Sequence, residues 1–109
     1  MPAIRMAFME SERPHIDSKV IATFCQRHHI RELRLFGSVL RNDFGPESDV
    51  DVLVEFEKGY SVGLIRMSGI ELELSQLLQW KVDLRTPADL SRYFRDQVLR
   101  EAQVQYAQP

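Results

Sequence analysis

LFGSVLRNDFGPESDVDVLVEF, residues 35–56, is the stretch that decides the fold of this chain. It begins at the end of a predicted strand, Ile30–Phe36, in which apolar residues alternate with charged ones. A turn at Gly37 begins a short predicted helix, which ends near Asn42 because turn-forming residues follow. A second apolar strand, residues 49–56, comes next. The stretch therefore predicts two strands joined by a tight turn and a loop.

Two acidic residues on the second strand point to the same side. Residues two apart in a strand share a face, so Asp49 and Asp51 project together. The opposite face is apolar and is formed by Val50, Val52, Val54 and Phe56. Neighbouring carboxylates repel each other and are hard to keep ionised without a nearby cation. A hard, oxygen-binding cation such as Mg²⁺ removes that conflict, so the pair predicts a divalent metal site.

The turn before the acidic strand has the opposite electrostatic character. Gly37 permits a tight turn and a close approach to a ligand. Ser38 is predicted to cap the short helix, whose free N–H groups and dipole would attract an anion. Arg41 adds a positive charge one turn later. An anion site beside a carboxylate pair suits a metal-bound nucleoside triphosphate.

These residues resemble a known family. The patterns G-S-x-x-R, at Gly37 to Arg41, and S-D-x-D-x-L-V-x-F, at Ser48 to Phe56, are similar to the minimal nucleotidyltransferase branch of the DNA polymerase β superfamily. Either pattern alone is weak, but both in this order between two apolar strands are much more specific. The resemblance implies a nucleotidyltransferase fold and extends over nearly the whole chain after about residue 16.

A third acid lies on another predicted strand, residues 80–86. Asp83 stands between Val82 and Leu84 and so faces the other way from them. By itself it would be an edge or surface residue, but the resemblance implies that it completes the acidic cluster. Arg85 shares its face and would either touch a phosphate or pair with Asp83.

The resemblance also implies a division of roles in metal-dependent transfer of AMP from ATP. Two Mg²⁺ ions would be held, the first by Asp49 and Asp51 and the second by Asp51 and Asp83. Asp83 would also be the general base. Gly37 and Ser38 would bind the β- and γ-phosphates, while Arg41 would add charge there or at the leaving group.

The acceptor follows from the small size of the chain together with the resemblance. In 109 residues, no second domain remains to bind an acceptor. Minimal nucleotidyltransferases of this size resemble antitoxins that are paired with a HEPN-domain RNase toxin and transfer AMP to a tyrosine hydroxyl on it. Two alternatives stay open: an antitoxin that acts by binding alone, and a nucleotidyltransferase that modifies a small molecule such as an antibiotic.

Composition narrows the remaining function classes. The net charge of −2 gives no basic footprint, so direct binding of nucleic acid over a broad surface is not expected. The single cysteine, Cys25, excludes an internal disulfide and is expected in the core. There is no membrane-length apolar run and no signal-like N-terminus, so a cytoplasmic protein is expected.

The remaining elements complete a single domain. Residues 1–15 are predicted to form a flexible arm and residues 16–109 the nucleotidyltransferase domain. Helices are predicted at 16–28, capped by Asp17 or Ser18, at 61–78, and at 93–106, with fraying from 105 onward. The middle helix is assigned an apolar stripe that includes Leu64, Ile65 and Leu72 and a solvated face with Glu71 and Glu73. The predicted fold class is α/β or α+β, a small mixed β-sheet with helices packed against it.

Overall fold

A computed structural model describes residues 13–109 and shows a mixed α+β domain. The predicted N-terminal arm falls mostly on residues 1–12, which lie outside the described residues, and stays a prediction. The elements in chain order are α1 (Ser18–Arg27), β1 (Ile30–Phe36), a 3₁₀ helix (Gly37–Leu40), β2 (Val50–Phe56), α2 (Leu64–Leu78), β3 (Val82–Arg85), a second 3₁₀ helix (Pro87–Asp89), α3 (Arg92–Glu101) and β4 (Gln103–Ala107).

The four strands form one mixed sheet in the order β3-β2-β1-β4. β1 is antiparallel to both of its neighbours, and β2 and β3 run parallel. α1 packs against β1 and β4, and α2 packs against β3. The fold class predicted from the sequence is therefore confirmed.

The core lies between one face of the sheet and helices α1 and α2. Alternate residues of the strands point into it, which matches the predicted apolar face of β2. Its members are almost fully buried and include Ile21, Phe24 and Cys25 of α1, Leu33 and Leu35 of β1, Val50, Val52 and Val54 of β2, Ile70 and Leu74 of α2, and Val82 and Leu84 of β3. Burial raises the pKa of the Cys25 thiol to about 12, which keeps it neutral.

The end of the chain differs from the prediction. The predicted helix over 93–106 ends at Glu101, because Ala102 adopts an extended conformation. The following residues do not fray but form β4 on the outer edge of β1, with Tyr106 opposite Leu33 and packed against the core. The helical spacing of apolar residues therefore gave a wrong prediction for residues 103–106. Pairing of their backbone groups with β1 favours the strand.

The apolar stripe assigned to α2 was also partly wrong. Leu64 and Ile65 are 88% and 92% exposed, and the stripe that meets the core runs through Met67, Ile70, Leu74 and Leu78. Glu71 is not simply solvated, because its Oε2 accepts a hydrogen bond from Leu84 N at 2.8 Å. Ser75 Oγ accepts likewise from Val82 N at 3.0 Å. Side chains of α2 thus satisfy N–H groups on the outer edge of β3.

No helix within residues 13–109 combines the length and apolar character that crossing a bilayer requires. Asp17 caps α1, as predicted, with its Oδ1 accepting hydrogen bonds from Lys19 N and Val20 N. Val50 and Val52 of β2 point into the core beneath α1 and α2, so Asp51 between them projects from the opposite face of the sheet.

Candidate active site

The turn after β1 is built around Gly37. Its φ is +75°, in the left-handed region that side chains other than glycine disfavour. A Cβ at this position would lie 2.3 Å from Asp51 Oδ2, far inside contact distance. Glycine is therefore required twice, by the backbone conformation and by the close approach of the turn to the carboxylate.

Ser38 does not cap a helix, contrary to the prediction. The Gly37–Leu40 helix is a single 3₁₀ turn preceded by Phe36, and no side chain caps it. The turn closes with a hydrogen bond from Arg41 N to Ser38 O at 2.9 Å. So short a helix does not have the macrodipole that the prediction assumed. Its first N–H groups still lack intrahelical partners and remain the feature suited to an anion.

Asp51 and Asp83 are brought together across the parallel pair β2–β3. They occupy directly opposite positions in the register, flanked by Val50 opposite Val82 and by Val52 opposite Leu84. Because those valines and the leucine point into the core, both carboxylates project from the other face. The structure thus places Asp83 beside Asp51 of the first acidic strand, as the family resemblance implied; its role in the site stays a prediction.

The pKa of Asp51 reflects its burial and the negative charges near it. Partial burial raises the pKa of its carboxyl above the ordinary value, and the charges of Asp83 and Asp49 raise it further. Arg85 and Arg41 oppose the rise. Asp51 therefore experiences the negative charge of both other acids, and a bound cation would relieve its desolvation and this repulsion.

The two flanking acids are paired with basic side chains. Asp49, just before β2, has its Oδ2 3.8 Å from Lys81 Nζ. Asp83 Oδ2 accepts hydrogen bonds from Arg85 Nε and Nη2 at 3.3 and 3.2 Å, which is one of the two roles predicted for Arg85. Across residues 13–109, no three acidic, histidine or cysteine side chains are grouped closely enough to hold a metal ion. The carboxylates match the chemistry of a hard cation, but Asp49 and Asp83 are oriented toward other partners.

Arg41 ends the turn and is well exposed. Its Nε lies 3.5 Å from Asp43 Oδ1, and both side chains are mostly solvated. A surface pair of this kind contributes little to stability, so Arg41 is free to turn toward a ligand.

A cavity of about 780 Å³ adjoins the turn and was not predicted from the sequence. α3 forms its other wall, and the lining residues are Phe36, Gly37, Leu40, Arg41, Phe94, Gln97, Val98, Glu101 and Gln103. The sequence offered one indirect signal, an amphipathic last helix. That pattern does not show which face of the helix would be left uncovered beside the turn.

Comparison with known proteins identifies the family. The sequence model of the nucleotidyltransferase domain matches residues 17–105. The chain belongs to the nucleotidyltransferase domain family. That span contains the Gly37 turn, Asp49, Asp51 and Asp83.

Individual relatives agree with this assignment. The chain is 38% identical over 76 residues to the protein adenylyltransferase MntA of Thermococcus cleftensis, covering 70% of this chain and 75% of that protein. Among solved structures, a toxin–antitoxin complex with AMP-PNP aligns with a TM-score of 0.69 at 19% identity, covering 85% of this chain and 75% of that one. A structure of a tri-AMPylated HEPN toxin of Shewanella oneidensis in complex with an MNT antitoxin aligns with a TM-score of 0.61 at 19% identity, covering 84% and 70%. At these identities the two structures show the shared nucleotidyltransferase fold.

Proposed function

We propose that this nucleotidyltransferase is an antitoxin that transfers AMP from Mg-ATP to a tyrosine hydroxyl of a cognate HEPN-domain RNase toxin. Three things support the proposal: the family membership, the protein adenylyltransferase name of its relative from Thermococcus cleftensis, and the toxin–antitoxin complexes among the structures of similar fold. The observation that carries it is the placement of Asp51 directly opposite Asp83, with the Gly37 turn against the Asp51 carboxylate.

The acidic residues would hold Mg²⁺, with Asp49 and Asp51 at one position and Asp51 and Asp83 at another. When bound, the metal ions would neutralise charge on the phosphates and lower the pKa of the acceptor hydroxyl. To join Asp51, Asp49 would leave Lys81 and Asp83 would leave Arg85. Both are partly exposed ion pairs, each worth about 0–1 kcal/mol, so breaking them costs little.

The turn would bind the other end of the nucleotide. N–H groups of Gly37 and Ser38 would donate to β- and γ-phosphate oxygens, since the first turn leaves such groups without intrahelical partners. Arg41 would add positive charge to the phosphates or to the departing pyrophosphate. Arg85, once released by Asp83, would provide a second cation on the same face.

The reaction needs positioning and charge stabilisation more than covalent help. The tyrosine oxygen attacks the α-phosphorus, and the bond from that phosphorus to the oxygen bridging to the β-phosphate breaks. Pyrophosphate leaves with the electron pair of that bond. Asp83 accepts the tyrosine proton, and the products are the AMP–tyrosine ester and pyrophosphate.

The test uses the product of the neighbouring gene as acceptor, provided that it is a small, all-helical protein with an R-x-x-x-x-H motif. The two proteins are mixed with ATP and Mg²⁺, and intact mass is measured. We expect the partner to gain AMP units with wild type and none with the Asp49→Asn, Asp51→Asn double variant. Glu47→Gln, which changes an exposed acid of the same loop, is the matched control and should keep wild-type activity.

Other results would overturn the proposal. A tight complex without a mass gain would show an antitoxin that acts by binding alone. An adenylated small molecule with an unmodified partner would show an enzyme of the antibiotic-modifying kind. Full turnover by the double variant would refute the assignment of the metal ligands.

A further inference from the structure

Arg13 contacts the loop that joins the two halves of the candidate site. Its Nη1 donates to Val39 O at 3.1 Å and its Nη2 to Arg41 O at 2.8 Å. Its guanidinium carbon also lies 5.1 Å from the centroid of the Phe44 ring. A single side chain from the segment before α1 therefore contacts the chain between β1 and β2 at three points, two on the Gly37–Arg41 turn and one on Phe44 of the loop that follows.

The third contact is with a side chain, Phe44, that is itself held in place by the core. Its side chain is 6% exposed, and its ring packs against that of Trp80 at 5.2 Å between centroids. Trp80 Nε1 in turn donates to Ser48 O at 2.7 Å, immediately before Asp49. Arg13 thus contacts the outer side of the Phe44 ring, whose inner side packs in the core. Phe44 and Trp80 connect this contact to Ser48, the residue before Asp49.

The two hydrogen bonds constrain the direction of the peptide groups in the turn. A trans peptide is planar, so fixing a carbonyl also fixes the N–H of the next residue, which points the opposite way. Holding Val39 O and Arg41 O therefore fixes the Val39–Leu40 and Arg41–Asn42 peptide groups at the end of the turn, whose Arg41 N–H in turn donates to Ser38 O at its start. The planar fork of arginine can donate to two carbonyls while its face lies on an aromatic ring, an arrangement that lysine cannot reproduce.

From this geometry we infer that Arg13 is a positioning residue of the nucleotide site, one that holds the Gly37–Arg41 backbone ready to receive the triphosphate. The inference rests on the proposed function and adds to it a residue outside the acidic and Gly-Ser motifs. Arg13 acts through the turn and touches neither the phosphates nor the acceptor. Its loss should therefore weaken nucleotide binding and leave the chemical step largely intact.

The test compares Arg13→Ala and Arg13→Lys with wild type. Calorimetry gives the Kd for Mg-ATP, and AMP transfer to the toxin gives KM and kcat. Without its two charged hydrogen bonds, the alanine variant should show a Kd and KM raised about three- to tenfold, with kcat within roughly twofold of wild type. Lysine should not restore wild-type affinity. Arg31→Ala is the matched control, because Arg31 pairs with Glu55 toward the other end of β1 and should behave as wild type.

Hydrogen–deuterium exchange of residues 37–44 provides a readout that does not require ATP. We expect faster exchange in this segment for both Arg13 variants and unchanged exchange for Arg31→Ala. If wild type binds Mg-ATP and Arg13→Ala binds it equally well, or if exchange in the segment is unchanged, the inference is overturned and the proposed function stands. If wild type does not bind Mg-ATP, the proposed function fails, and the inference fails with it.

Discussion

Replacing Gly37 by alanine should damage the site far more than it damages the fold. The added Cβ would lie 2.3 Å from Asp51 Oδ2, whereas ordinary contact begins near 3.4 Å. The carboxylate or the turn must therefore move by about 1 Å, and a misplacement of that size can lower the rate about a hundredfold. The left-handed φ of +75° adds a backbone cost of about 1–2 kcal/mol for alanine, which for a domain of this size lowers Tm by roughly 5–10 °C.

Gly59 offers a matched control for this prediction. Its φ is +91°, yet within residues 13–109 no atom beyond its own chain neighbours lies within 4 Å of the position that a Cβ would take. Gly59→Ala should show a similar loss of Tm and retain its rate of AMP transfer. Both variants are assayed by thermal melting and by the initial rate of AMP transfer, well below their melting temperatures. If Gly37→Ala is no slower than Gly59→Ala, the assumed contact between the turn and Asp51 is not important for catalysis.

Three further predictions concern stability. Asp51→Asn should raise Tm at neutral pH without metal, because burial and neighbouring acids raise the pKa of Asp51, so that its ionised form destabilises the fold. The gain in Tm should disappear as the pH falls below 3.8, the ordinary pKa of an aspartate, where the carboxyl is protonated in both the folded and the unfolded chain. A pH series of thermal melts that shows no such trend would contradict this prediction. Ser75→Ala should cost about 1–3 kcal/mol in urea unfolding, since Val82 N loses its acceptor, whereas Ser75→Thr, which keeps the hydroxyl, should cost less. Amides of residues 103–107 that pair with β1 should exchange as slowly as those of β1 itself, and rapid exchange there would support the predicted fraying instead.

The parts of the fold that the sequence predicted well depend on local pattern. β1 and β2 lie within the predicted strands, because alternation and turn residues operate over a few neighbouring positions. The same alternation put Asp51 and Asp83 on one face, and the parallel pairing of β2 and β3 then placed them opposite each other. The Gly37 turn was also correctly located, although its exact geometry was not.

What the sequence missed depends on contacts between distant segments. β4 is a strand only because the edge of β1 is available to it, and a short segment such as QVQYA is also compatible with a helix end. The bonds from Arg13 to Val39 and Arg41 join residues at least 26 positions apart. The ion pair of Asp49 with Lys81 likewise requires the packing of β2 beside β3. No periodicity along the chain carries such information.

The order of the strands has a consequence for synthesis on the ribosome. β1 occupies an inner place in the sheet, yet one of its two neighbours, β4, is translated about 70 residues later. Until that segment emerges, the nascent polypeptide carries an apolar strand with one side open, a state prone to association with other chains. We expect chaperone contact for as long as the exit tunnel covers residues 103–107, so ribosome profiling of chaperone-bound nascent chains should still show it when ribosomes have reached the codons of that segment.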